Sequence, residues 1–191
     1  MTDYFALLGV ERRPWIDDED LKARYHAKTL AHHPDAACQN ADETAFPEIS
    51  EAYQTLRDPR RRLQHLRALC GSVERTAAGV PATLQELFMP IGATTQRADA
   101  LLAHLRLTTN ALARGLLHGD TLRAQNDVAQ LLAQLEKLRI EAVGELRRLD
   151  ERWDDSSSDC LRAAERVELT FTYLDRWIAQ LNEKQFQLLA V

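Results

Sequence analysis

The sequence predicts an all-α protein: an antiparallel helical hairpin with short flanking helices, then an antiparallel three-helix bundle. Two observations predict it. Only seven glycines and six prolines punctuate 191 residues, leaving long Leu- and Ala-rich stretches with few places to turn. Within those stretches apolar residues recur at steps of three and four, which gathers them on one side of a helix. Composition agrees, since 45% hydrophobic and 28% charged residues are globular rather than disordered proportions. The chain is also long enough to bury a core, as one large or two small domains.

The first unit is expected over residues 1–71. Tyr4, Leu7 and Leu8 form a short apolar turn ended by Gly9, a first helix of about two turns. Pro14-Trp15-Ile16 is an extended link. Asp17 or Asp18 then caps a second helix, whose acidic first turn suits its positive end. Leu21, Tyr25, Lys28, Thr29 and His32 follow one face of it, while Lys22, Arg24, His26 and Lys28 place cations around it. The helix is expected to stop near His32, because Pro34 disfavours helical geometry in the residue before it.

A polar loop follows, then a second long helix to about Leu56. Phe46, Ile49, Ala52, Tyr53 and Leu56 are spaced to face its predecessor. Pro47 predicts a kink, or a helix that starts at that residue. Asp58-Pro59 caps a short basic helix that ends near Gly71 and is placed to pack on the bundle.

Residues 72–81, small and ending in Gly79 and Pro81, read as the linker. The bundle occupies 82–191. Its first stretch runs from about Ala82 to Leu117, with Leu101, Leu105, Leu112 and Leu116 on one side, Pro90 and Gly92 bending its start, and His118-Gly119-Asp120 as the turn. The second carries Val128, Leu131, Leu135, Leu138, Ala142, Leu146, Leu149 and Trp153. Asp154 to Asp159 breaks it. The third carries Leu161, Ala164, Val167, Phe171, Leu174, Ile178 and Leu181. Short turns between long helices make them antiparallel neighbours.

Several functions are excluded by what the chain lacks. A net charge of −5 without a dense basic stripe predicts no nucleic-acid partner. A membrane span needs about 18 uninterrupted apolar residues, and no such run exists. Met1-Thr2-Asp3-Tyr4 has neither the basic nor the apolar region of a signal peptide. Cys38, Cys70 and Cys160 are odd in number, widely spaced and in no Cys-x-x-Cys pair, so reduced thiols and a cytoplasmic location are expected. No metal or cofactor is expected. His32 and His33 with Asp35 make a poor metal cluster, because adjacent histidines point in different directions. Asp154 to Asp159 lacks the glycine and terminal glutamate of a calcium loop and reads as a cap and turn. Without a Gly-rich phosphate loop or a defensible nucleophile–base pair, the chain is not expected to be an enzyme.

The most informative residues are His33-Pro34-Asp35, set between two helical patterns and preceded by Asp3-Tyr4-Phe5-Ala6-Leu7-Leu8-Gly9-Val10. Together with Phe46 to Pro59 at the expected distance, these strings resemble a J-domain. The resemblance implies a co-chaperone that makes a DnaK-type chaperone hydrolyse ATP. It assigns docking to His33, Pro34 and Asp35 at the hairpin tip, supported by Lys22, Arg24, His26 and Lys28. Physically, proline fixes the backbone there, histidine donates and accepts, and aspartate is a charge-assisted acceptor.

A J-domain followed directly by a helical bundle, together with Tyr173-Leu174-Asp175-Arg176 near the end, resembles the HscB family of iron–sulfur cluster co-chaperones. That resemblance implies an HscA-type partner chaperone and an IscU-like scaffold as client. It places the client on Phe88, Met89 and Tyr173. Adaptors for another client, or a helical interaction module with an inactive J-domain, are the alternatives. Oligomeric state leaves no mark in the sequence.

Overall fold

The structure, a computed structural model, describes residues 1–31, 45–71 and 79–190. It contains seven helices among the described residues: α1 (Tyr4–Leu8), α2 (Asp18–Ala31), α3 (Ala45–Arg57), α4 (Pro59–Leu69), α5 (Ala82–Leu107), α6 (Ala111–Glu151) and α7 (Ser158–Leu189). Two compact units form, one from residues 1–78 with 143–169, the other from 79–142 with 170–191.

In the first unit, α1 is bounded as its sequence dictates. The Asp3 carboxylate accepts from Phe5 and Ala6 N–H at 3.0 and 3.2 Å, and Gly9 ends the helix at φ 69°. Asp17 caps α2, accepting from Glu19 and Asp20 N–H at 3.0 Å each. Pro47 lies in the first turn of α3, where backbone N–H groups have no partner within the helix. It therefore neither starts nor needs to kink the helix, which begins at Ala45. Asp58 caps α4 through Arg60 and Arg61 N–H, with Pro59 in the first turn.

Phe5, Leu8, Ile16, Leu21, Ile49, Ala52, Leu56 and Leu66 form one buried cluster. Phe46 stays 44% exposed, one turn beyond that core. Arg62 is buried beside it, donating from Nε to the Pro14 carbonyl and from Nη1 to the Leu56 carbonyl, both at 2.8 Å. Those bonds tie α4 to the α1–α2 link and to the end of α3.

The end of α6 and the start of α7 complete this unit. Asp150 accepts from Trp15 N–H at 3.2 Å and pairs with Arg13 at 3.3 Å, while Arg147 lies 5.1 Å over the Trp15 ring. The basic helix α4 meets α7 through Arg67, which pairs with Glu165 at 3.4 Å and Glu168 at 2.5 Å.

The second unit is the three-helix bundle of α5, α6 and α7. Leu102, Leu105, Val128, Leu135, Phe171, Leu174, Leu181 and Leu188 are buried in it. Each pair of helices is also linked by polar side chains. Lys184 pairs with Asp99 at 2.7 Å, Arg97 with Asp127 at 3.3 Å and Arg139 with Asp175 at 3.6 Å.

The first bundle turn differs from its expected place. It falls at residues 108–110, where Thr108 closes α5 and the Asn110 side chain accepts from Leu112 N–H at 2.8 Å. His118-Gly119-Asp120 lies inside α6, and Leu112 and Leu116 are exposed instead of core. A side-chain cap at Asn110 outweighed the glycine as a stop signal. Pro90 and Gly92 both sit inside α5, which runs on through them.

Candidate functional site

α2 and α3, which flank the predicted docking residues in the chain, pack against each other. His33, Pro34 and Asp35 fall outside the described residues, between the end of α2 at Ala31 and the start of α3 at Ala45. Leu21 on α2 is buried with Ile49, Ala52 and Leu56 on α3, and Tyr25 stacks on Tyr53 with ring centroids 4.2 Å apart.

The four cations of α2 do not share one face. At ~100° per residue, Lys22 and His26 lie about 40° apart on one flank. Arg24 and Lys28 lie about 40° apart on the opposite flank, with the Tyr25 side between the pairs. Lys22 and His26 are exposed, and the His26 ring tilts against Tyr25 at 5.6 Å. Lys28 is half-buried. Arg24 has structural work: it pairs with Asp20 at 2.8 Å and donates to the Gly9 carbonyl. Its guanidinium thereby closes the C-terminus of α1. Leu30, one residue before the end of α2, is 74% exposed.

His65 ties α4 to the start of α1. Its Nε2 accepts the Tyr4 N–H at 3.1 Å, and its ring stacks on Tyr4 at 4.4 Å. Burial lowers its pKa below the ordinary histidine value, with Asp3 acting in the opposite direction. Burial likewise lowers the Arg62 pKa to about 10, which leaves it charged at neutral pH.

The second predicted site lies in the bundle. Phe88 and Met89 are 54% and 74% exposed on α5, and Tyr173 is half-buried on α7. Trp177, absent from the sequence expectation, joins them: its indole meets Phe88 edge-on at 6.4 Å and Tyr173 at 5.6 Å. Phe88 and Tyr173 are thus brought to one aromatic cluster whose floor is buried and whose rim is open. The signal available in the sequence was the four-residue step from Tyr173 to Trp177. Met89 is adjacent on the chain and more exposed than Phe88. Large exposed apolar side chains beside a buried aromatic suit docking of a protein surface.

Among the described residues, no group of three or more His, Cys, Asp or Glu side chains could hold a metal ion. Cys70 and Cys160 are free thiols, and Cys38 lies outside the described residues. No helix among the described residues is long and apolar enough to cross a membrane.

Comparison with known proteins agrees with this geometry. Residues 3–65 match the DnaJ domain family. The chaperone protein DnaJ of Hyphomonas neptunium is 40% identical over 81 residues, covering 40% of this chain and 20% of that protein. The DnaJ of Caulobacter vibrioides is 44% identical over 64 residues, covering 32% of this chain and 16% of its own length. The chain therefore spans a fifth or less of these relatives. Among solved structures, the chaperone HscB from Vibrio cholerae superposes with a TM-score of 0.61, covering 98% of this chain and 99% of its own. At 19% sequence identity, that likeness is one of fold. Residues 3–65 thus match a DnaJ domain, within a chain that shares the fold of HscB.

Proposed function

We propose that this protein is a co-chaperone that delivers a client to a DnaK- or HscA-type chaperone and stimulates its ATP hydrolysis. The single observation that carries the reading is the DnaJ-domain match over residues 3–65, which encloses His33-Pro34-Asp35. The hairpin would present this tripeptide to the chaperone, with Lys22, His26 and Lys28 steering the encounter. Arg24 contributes by holding α1 against α2. The work done is a population shift, and it requires the tip to bind the hydrolysis-competent state of the chaperone more tightly than the other state. The chain itself catalyses nothing in this scheme, and the cytoplasm is where its partners would meet it.

The client is proposed to be an IscU-like cluster scaffold seated on Phe88, Met89 and Tyr173. Support comes from the open aromatic rim on the bundle and from the whole-chain likeness to HscB. A titration of an HscA-type chaperone with the scaffold, with this protein and with both tests the complete reading. Greater ATPase stimulation by the two together than by the sum of each alone is the expected result. Stimulation by this protein that the scaffold leaves unchanged would keep the co-chaperone role and remove that client.

A further inference from the structure

The α6–α7 turn holds a cationic cavity that neither the hairpin nor the aromatic rim uses. It has a volume of about 300 Å³ and is lined by Arg152, Asp159, Cys160, Arg162, Ala163 and Arg166. A wider groove of about 570 Å³ continues from it along the two helices, sharing Arg152, Ala163 and Arg166 and adding Arg148. All of these residues belong to the first unit.

The arginines come in two pairs at a four-residue step, Arg148 with Arg152 at the end of α6 and Arg162 with Arg166 at the start of α7. Like charges at that spacing repel and weaken a helix. Arg162 is bound to Asp159, whereas Arg148 and Arg152 make no ion pair among the described residues. The half-buried Cys160 thiol donates to the Arg152 carbonyl at 3.4 Å, which ties the first turn of α7 to the residue just past α6.

The carboxylates nearby decide where an anion would sit. Glu145 and Glu151 line the wider groove. The smaller cavity has Asp159 alone, already bound to Arg162, against three guanidiniums. That leaves an excess of two positive charges there, in a chain whose net charge is −5. Asp159 and Cys160 also bring the first turn of α7 into the wall, so the positive end of that helix adds to the field. Buried Ala163 takes up little room between the arginines. A guanidinium matches two oxygens of one phosphate or carboxylate at a time.

We propose that the cavity at the α6–α7 turn binds a small multivalent oxyanion, a diphosphate or a polycarboxylate, through Arg152, Arg162 and Arg166. Occupancy would neutralise the repelling arginines. It would also brace the turn that carries Trp153, a side chain packed against the core of α1 to α4.

The test uses the full chain with sodium pyrophosphate, sodium citrate, or sodium chloride at matched ionic strength. One of the two multivalent anions at about 10 mM is expected to raise Tm by at least about 3 °C over chloride, and the larger shift names the source. Alkylation of Cys160 by iodoacetamide, followed by peptide mass spectrometry, should slow by at least about threefold with that anion bound, and alkylation of Cys70 should not. The pair Arg152→Gln and Arg162→Gln replaces exposed side chains and should keep the Tm in chloride within about 2 °C, while losing both effects. Protection of Cys160 in the unaltered chain is a readout that needs no variant. Equal Tm in all three salts, a shift that leaves Cys160 unprotected, or a full shift retained by the double variant would overturn the proposal.

Discussion

Tyr25 and Tyr53 stack across the α2–α3 hairpin, with ring centroids 4.2 Å apart and planes 17° from parallel. Both rings pack against the buried cluster that holds Leu21, Ile49 and Ala52, and so hold α2 against α3. Truncating Tyr53 to alanine is expected to cost about 1–2 kcal/mol of unfolding free energy. Combined with Tyr25→Ala in a double-mutant cycle, a coupling of about 0.5–1.5 kcal/mol should appear in urea unfolding.

His65 makes the first unit sensitive to acid. Its Nε2 must be unprotonated to accept the Tyr4 N–H, and burial places its folded pKa below the ordinary 6.5. The unfolded chain therefore binds the proton more readily. Stability from this group is fully present above the unfolded value and is lost as pH falls below about 6.5 toward the folded pKa. Urea midpoints at pH 7.5 and 5.5 should differ in the wild type and differ less in His65→Phe, while an NMR titration should place His65 below the ordinary histidine value.

Arg62 is a second internal tie. Replacing it with alanine leaves the Pro14 and Leu56 carbonyls without their buried donor and empties its space. A loss of about 2–4 kcal/mol is expected by chemical denaturation. Arg62→Lys should recover only part of it, because one ammonium cannot reproduce the two-armed geometry of a guanidinium.

The aromatic rim separates binding from folding. Phe88→Ala and Met89→Ala remove exposed atoms, so their Tm values should stay within a few degrees of wild type. Scaffold affinity measured by calorimetry should fall about tenfold for each, corresponding to ~1.4 kcal/mol. Unchanged affinity in both would remove the rim from the client site.

Local signals in the sequence foretold much of this fold. Asp3 with Gly9 bounds α1, Asp58 with Pro59 opens α4, and the step of three and four identifies Val128, Leu135, Leu146, Phe171, Leu174 and Leu181 as core. The misplaced α5–α6 turn had a readable cause, since Thr108 and Asn110 are capping residues that Gly119 drew attention from. Other features belong to tertiary geometry. The three-and-four step names Ile178 for the core of α7, whereas the structure buries Trp177 and leaves Ile178 half-buried, and the approach of Phe88 makes the tryptophan the joint of the rim. Arg24 reads as a surface cation until the Gly9 carbonyl, fifteen residues earlier, is brought to its guanidinium.

The central claim is that the hairpin tip drives the partner's hydrolysis. Single-turnover ATP hydrolysis by the cognate DnaK-type chaperone, with wild-type protein and with His33→Gln, tests it most directly. Stimulation by the wild type that disappears in the variant is the predicted result. No stimulation by the wild type, from a chaperone that responds to another J-domain protein, would contradict it.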